Sequence, residues 1–98
     1  MKSWTRGQEL SADEYELILV LDPTVEHLRS RLSALLREHD RIVAAEGIEL
    51  EQYHLGACQA SGDILLFTEP HCLAEPDTLT KLRDYFDSHD VDGVCART

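Results

Sequence analysis

The stretch that most constrains the fold covers residues 56–72, with the sequence GACQASGDILLFTEPHC. Residues 64–67 (ILLF) form a continuous apolar run, which is typical of a strand covered on both faces of a parallel sheet. The pair Ser61 and Gly62 ends the helical pattern before this run, and polar residues follow it at once. Because open α/β sheets place their ligands at the carboxyl ends of strands, the stretch predicts a parallel α/β domain with a ligand site after residue 68.

Two of the polar residues in that cluster are candidate metal ligands. Glu69 and His71 stand two residues apart, so they point to the same side if the chain there is extended. A carboxylate and an imidazole side by side can share one divalent cation, and the imidazole favours Mn²⁺ over Mg²⁺. The alternative interpretation is that both are ordinary polar residues at an exposed strand end.

The rest of the chain alternates strand and helix patterns. Strands are predicted over residues 15–21, 41–45, 64–68 and 91–96, and helices over residues 24–38, 49–60 and 78–88. Thr24 and Asp77 are the residues expected to cap the first and third helices. This alternation favours an α/β domain over residues 1–98, with a Rossmann-like, mostly parallel sheet and right-handed crossovers.

Composition excludes several classes of function. The formal net charge of −10 disfavours nucleic acid and anionic lipid as partners. No apolar run approaches the ~20 residues needed to cross a bilayer, and no signal peptide is visible, so we expect no membrane insertion. The three cysteines form no C-x-x-C pair, which favours reduced thiols and a cytoplasmic location.

The order of these features resembles the nucleotide-sugar-binding half of a family 2 glycosyltransferase, which has the fold called GT-A. In this region the family reads roughly A-R-N-x-G-x-x-x-A-x-G-E, then an apolar strand, then D-x-D-C or a close variant. The corresponding residues here are 52–56 (QYHLG), Ala60, Gly62, Asp63, 64–67 and 69–72 (EPHC). The resemblance also includes residues 15–22 and 75–77, and so covers most of the chain.

The resemblance implies roles for three residues. Asp22 would accept a hydrogen bond from the nucleobase of a nucleotide-diphospho-sugar donor, although its alternative role is to stabilise the turn with Pro23 and Thr24. Glu69 and His71 would hold the Mn²⁺ or Mg²⁺ that neutralises the diphosphate. Tyr53 and His54 replace the family's Arg-Asn pair, which removes a cation near the donor.

Two parts of the family's catalytic domain have no counterpart in the chain. The acid that serves as catalytic base lies beyond a further strand in the family, so no catalytic residue is nominated, and the chain is predicted to be an inactive, truncated GT-A domain. The family's first strand is also missing. The family's sheet order puts it between residues 15–21 and 64–68, which should therefore pair directly or be separated by a hole. Because unpaired central strand edges are costly, we predict that the two strands close up, or that a second copy fills the gap and makes a homo-oligomer through exposed strand edges.

Three other interpretations stay open. The chain can be a non-catalytic α/β interaction or assembly module that keeps a degenerate glycosyltransferase scaffold. A receiver-like signalling domain needs a clustered acidic pocket, for which only Asp22 is available. A zinc site from His54 and Cys58, at i and i+4 of one helix, with His71 and Cys72 nearby, lacks finger-type spacing and is less favoured than incidental proximity.

Overall fold

The computed structural model of the chain describes residues 2–69 and 72–95. Its sheet has two parallel strands, β1 (Ile18–Leu21) and β2 (Arg41–Ala44). The α-helices in the described residues are α1 (Arg29–Ser33), α2 (Glu49–Gln59) and α3 (Thr78–Ser88), and 3₁₀-helices cover Lys2–Trp4 and Pro23–Leu28. The predicted α/β class and the parallel pairing of these two strands are confirmed.

The two strands pair over their whole length, with Ile18 opposite Arg41 and Leu21 opposite Ala44. Both are close to the segments predicted at residues 15–21 and 41–45, but β1 begins three residues later. Its start is fixed by Asp40, whose carboxylate accepts the amide of Leu17 at 2.8 Å. At this end of the sheet a side chain thus accepts the Leu17 amide, while the Leu17 carbonyl still accepts the amide of Arg41 at 3.0 Å.

The helix predicted over residues 24–38 is wrong in its extent. The chain first forms the 3₁₀-helix Pro23–Leu28, in which Val25 has non-helical angles of φ −113° and ψ 19°. The expected cap is also wrong, because the capping side chain is Asp22 and not Thr24. This tight turn starts the segment in a 3₁₀ conformation, and α1 then lasts only five residues.

A second turn prevents α1 from continuing to residue 38. The carboxylate of Asp40 accepts the backbone amide of Arg37 at 2.9 Å, while the amide of Asp40 donates to the carbonyl of Arg37 at 3.1 Å. Asp40 is buried. Its four hydrogen bonds to Arg37 and Leu17 thus hold a turn where helical periodicity alone predicts another helical turn.

The helices predicted over residues 49–60 and 78–88 are confirmed as α2 and α3. The cap expected for α3 differs from the observed one. Asp77 makes no capping hydrogen bond with its side chain and instead pairs with Lys81 at 3.0 Å. The amide of Leu79 donates to Oε1 of Gln8 at 3.1 Å, so a residue distant in sequence satisfies the first turn of α3.

The strands predicted at residues 64–68 and 91–96 are wrong over the described residues. Residues 64–68 and 91–95 have neither strand nor helix, and residue 96 lies outside the described part of the chain. A strand needs a hydrogen-bonded neighbour, and residues 64–68 have none because the free edge of β1 does not pair with them. Residues 91–95 likewise do not pair with either strand of the sheet.

The N-terminal residues fasten the loop before α3 to the rest of the fold. Nε2 of Gln8 donates to the carbonyl oxygens of Ser3 and Glu75, at 2.8 Å and 2.7 Å. The indole of Trp4 donates to the carbonyl of Cys72 at 3.0 Å, and the hydroxyl of Ser3 accepts the amide of Ala74 at 3.1 Å. Polar contacts, and not a large apolar core, therefore hold this loop against the N-terminal residues.

The apolar core of the described residues is small. Among them, only Leu21 and Ala45 are buried hydrophobic residues, at 5% and 7% exposure, and no side chain is completely buried. The accessible surface is 7212 Å², whereas a folded monomer of this mass is expected to expose roughly 5,700 Å². The chain thus leaves a substantial apolar area in water. None of the helices in the described residues is long and apolar enough to cross a bilayer.

Candidate functional site

A large cavity opens between β1 and residues 64–68. We call it the β1 groove; it has a volume of about 1330 Å³ and is lined by residues 17–20 of β1 and its approach, the inner side of α2, and residues 64–67. The sequence predicted that the segments 15–21 and 64–68 would close up, or that a second copy would fill the gap between them; the first of these is wrong over the described residues. In the described residues they are unpaired and the cavity lies between them.

Helix α2 forms the floor of the β1 groove because it contacts both of its walls. A Cβ atom on Gly56 would lie 3.1 Å from Cγ2 of Val20, so the helix approaches β1 closely at this glycine. One turn earlier, the ring of Tyr53 meets the ring of Phe67 edge to face, with centroids 5.2 Å apart. The groove is therefore held open by a rigid helix and not by a loop alone.

Asp22 lies directly after β1, at the carboxyl end of the strand. Its Oδ1 accepts the amide of Thr24 at 2.9 Å and the hydroxyl of Thr24 at 2.8 Å. These bonds from the backbone and the hydroxyl of Thr24 lower the pKa of the Asp22 carboxyl. The turn-stabilising role weighed from the sequence is thus present. Oδ2 has no hydrogen-bond donor within the described chain and remains able to accept one from a ligand.

Glu69 is partly buried and lies near Tyr53 on α2. The hydroxyl of Tyr53 is hydrogen-bonded to the carboxylate of Glu49. This bond, burial, and the nearby charges of Glu49, Glu69 and Cys72 raise the pKa of Tyr53 to about 12. Tyr53 therefore stays neutral at physiological pH and brings a hydroxyl to this end of the groove.

His71 lies outside the described residues, so its position relative to Glu69 stays a prediction. In the described part of the chain, no group of three or more His, Cys, Asp or Glu side chains is arranged to hold a metal ion. His54 and Cys58 do meet, with Nε2 and Sγ 3.6 Å apart on the exposed face of α2. That pair is two potential ligands and not a closed zinc site.

Some residues that shape the site were not predicted from the sequence. Glu49 had a usable signal, since it stands at i and i+4 with Tyr53 on one helix. Asp40 and Arg37 gave no signal beyond a charged pair in a polar segment, because their partner Leu17 is distant in sequence.

Acidic side chains dominate the lining of the β1 groove. Six carboxylates and two guanidinium groups contribute to it, and both guanidinium groups are already paired. Arg41 lies 3.2 Å from Glu16, and Arg83 lies 3.6 Å from Glu14. The lining also contains the carboxylates of Asp13, Glu49, Asp63 and Glu69. The groove thus combines apolar walls with a negative rim.

No protein-family model, curated protein or solved structure matches this chain closely enough to be assigned as a relative. The likeness to family 2 glycosyltransferases therefore rests on the sequence pattern alone.

Proposed function

We propose that this chain is the nucleotide-sugar-binding portion of a glycosyltransferase, which transfers a sugar from a nucleotide-diphospho-sugar donor to an acceptor hydroxyl. The observation that supports the proposal is the position of the β1 groove. It separates β1 from residues 64–68, where the sheet order of family 2 glycosyltransferases puts a further strand. A self-sufficient domain is expected to cover such an edge.

The second support is the chemistry at the carboxyl end of β1. Ligands of parallel α/β sheets bind at these ends. Asp22 stands there with Oδ1 held by Thr24, which fixes the orientation of the carboxyl group and leaves Oδ2 for a nucleobase N–H. The Asp22 carboxylate can thus stabilise the turn and also accept a hydrogen bond from the nucleobase of the sugar donor.

The third element is the cation. In this proposal Glu69 and His71 hold Mn²⁺ or Mg²⁺, and the bound cation neutralises the charge that develops on the nucleotide diphosphate leaving group. No residue is assigned as catalytic base, because general-base catalysis needs a group within hydrogen-bond reach of the acceptor hydroxyl. The 98-residue chain alone is expected to bind the donor weakly and not to turn it over.

Paramagnetic broadening by Mn²⁺ tests the proposal. We expect amide resonances at Glu69 and His71 to broaden when Mn²⁺ is added with uridine or guanosine diphosphate, and much less with Mn²⁺ alone. The double variant Glu69→Gln with His71→Ala should abolish the effect, whereas Glu75→Gln serves as a control outside the pair. Absence of any diphosphate-dependent broadening near residue 69 would rule the proposal out, and sugar transfer by the isolated chain would contradict its inactivity.

The second candidate function is a non-catalytic interaction or assembly module. It is favoured by the exposure of Ile64, Leu65, Leu66 and Phe67, which are 41%, 48%, 42% and 51% exposed. Four consecutive exposed hydrophobic residues on a soluble domain mark an interaction surface. Binding of a polypeptide partner, together with no binding of nucleotide diphosphates, would support this second candidate function.

A further inference from the structure

We propose that the β1 groove binds an apolar segment of a second polypeptide, flanked by lysine or arginine, as a strand added to the free edge of β1. The inference goes beyond sugar transfer and does not depend on it. It rests on the backbone of β1, the walls of the groove and its charge, none of which requires a nucleotide to bind.

The first argument is the direction of the backbone groups of β1. Leu17 and Leu21 turn their carbonyls to the β2 side, where they accept the amides of Arg41 and Ala45, both at 3.0 Å. Neighbouring residues of a strand alternate in this respect, so Ile18 and Val20 turn their N–H and C=O groups to the groove. Nothing in the described chain pairs with these groups.

The second argument is the shape of the space beside that edge. The cavity of about 1330 Å³ exceeds the roughly 300–1,000 Å³ typical of small-molecule sites. Its far wall is the apolar run at residues 64–67, and α2 closes its floor through Gly56 and Tyr53. A trough with a free strand edge along one wall is the geometry used by proteins that bind peptides by strand addition.

The third argument is the exposed area. The chain exposes 7212 Å², about 1,500 Å² more than expected for a monomer of its mass. A standard protein–protein interface buries roughly 800 Å² on each partner, so the excess is large enough for one such interface. An added strand covers the apolar walls and so removes the surface that the small core leaves in water.

Charge decides which strand the groove accepts. Asp63 and Glu69 flank the apolar run at its two ends, and Glu49 stands at the start of the α2 floor. Because both arginines in the lining are already paired, the rim is negative overall. A strand with an apolar centre and basic ends matches this pattern at both ends, and complementary charge also speeds association.

The same charges argue against a second copy of this chain as the occupant. Its own apolar run is bounded by Asp63 and Glu69, so a copy inserted into the groove would oppose carboxylates with carboxylates. The net charge of −10 adds repulsion between two chains. The homo-oligomer expected from the sequence is therefore the outcome that the test must distinguish.

The test uses the chain and three synthetic peptides. The first has an alternating valine and threonine centre with two lysines at each end. The second has glutamates in place of the lysines, and the third repeats the first with alternate amides N-methylated so that it cannot pair. Amide hydrogen exchange of Ile18 and Val20 reports the added strand. Sedimentation reports whether the chain associates with itself.

We expect the lysine peptide to slow exchange at both amides and to bind at least about tenfold more tightly than the glutamate peptide at low salt, with the difference shrinking as salt screens the rim. The N-methylated peptide should protect neither amide. Lack of protection by every peptide would overturn the inference. Equal binding of the basic and acidic peptides would overturn the assigned partner, as would a dimer that protects Ile18 without any peptide.

A variant adds an independent check. Ile18→Pro removes the N–H that faces the groove but no hydrogen bond to β2, and proline is tolerated on an edge strand. Ile18→Val is the matched control. The proline variant should lose binding of the lysine peptide while the Leu19 amide stays protected. If the Leu19 amide loses protection as well, the proline has disturbed the pairing of β1 with β2. The comparison of the lysine peptide with its N-methylated form, both added to the unaltered chain, then decides whether binding needs backbone hydrogen bonds to β1.

Discussion

A Cβ atom built on Gly56 would stand 3.1 Å from Cγ2 of Val20, which is closer than most such contacts in proteins. This approach sets the distance between α2 and β1 and hence the depth of the β1 groove. It gives position 56 a packing role in addition to its place in the glycosyltransferase-like pattern.

We therefore predict that Gly56→Val destabilises the fold. The two extra methyl groups of valine have no space against Val20, and overpacking of this kind costs about 1–3 kcal/mol. Gly56→Ala is the control, because Val20 borders the open groove and can turn aside by a few tenths of an ångström. The measurement is the free energy of unfolding in urea. Equal stability of the valine and alanine variants would contradict the packing role.

The carboxylate of Asp40 is predicted to be the most sensitive polar group of the fold. It accepts three hydrogen bonds from Arg37 and one from Leu17, at 2.8 to 2.9 Å, and the Arg37 guanidinium lies 3.9 Å from the centre of the Tyr15 ring. Asp40→Ala leaves a largely buried cation without its partner, which costs about 3–5 kcal/mol. Circular dichroism during urea unfolding should show this loss.

The control for that experiment is an exposed ion pair. Glu26 pairs with Arg29 on the surface of the first helical segment. Glu26→Gln should leave the unfolding free energy almost unchanged, because exposed pairs contribute little. If the two substitutions had similar effects, the Asp40 network would not have the importance assigned to it.

Stability should also fall in acid because of Asp40. Burial raises the pKa of this carboxyl, but hydrogen bonds from the side chain and backbone of Arg37 and from the Leu17 amide outweigh burial, so its pKa lies below the ordinary value. The stabilisation is therefore complete above the unfolded pKa of about 4 and is lost as pH falls through the lower folded pKa. Unfolding free energies measured down to pH 2 should show the decline.

Asp40→Asn removes the titrating group and should flatten that pH dependence, while Asp13→Asn, at an exposed carboxylate, should leave it unchanged. A parallel decline in all three proteins would assign the acid sensitivity to other groups.

Tyr53 should titrate about two pH units above an ordinary tyrosine. Its hydrogen bond to Glu49 is the largest of the causes that raise the pKa of Tyr53 to about 12. The ¹³Cζ resonance of Tyr53 should therefore show little ionisation at pH 10. Glu49→Gln should bring the pKa down towards 10, whereas Glu51→Gln, elsewhere on the same turn, should not. Half-ionisation of Tyr53 at pH 10 in the unaltered chain would disprove this assignment.

Asp22→Asn separates the two roles of Asp22. Asparagine keeps an oxygen for the amide of Thr24, so the turn should persist and the stability should be almost unchanged. Its amide nitrogen cannot accept a hydrogen bond, so binding of a nucleotide diphosphate with Mn²⁺ should weaken about tenfold. Isothermal titration calorimetry measures the second effect. Unchanged nucleotide affinity would leave Asp22 with its turn role alone.

The local parts of the fold could be predicted from the sequence. Helices α2 and α3 were located to within one residue, because residues 49–60 and 78–88 have helical periodicity and clear ends. The parallel pairing of β1 and β2 followed from the strand–helix–strand order. These features depend on neighbours in sequence, which periodicity reports well.

The predictions that were wrong concern segments whose structure depends on contacts with residues distant in sequence. The apolar run at residues 64–67 has the composition of a buried strand, but strand formation needs a paired neighbour, which composition does not report. The long helix predicted from residue 24 was cut short by Asp40, whose bond to Leu17 joins segments far apart in sequence. At the candidate site, Asp22 was located at its strand end, while the pairing of Glu69 with His71 stays a prediction.

The contact of Trp4 with Cys72 has a practical consequence. Trp4 is the chain's single tryptophan, its indole donates to the Cys72 carbonyl, and its side chain borders the cavity beside β1. Its emission spectrum is thus an intrinsic optical reporter of occupancy there. A blue shift of this emission during titration with a ligand would report binding in the β1 groove without any attached label.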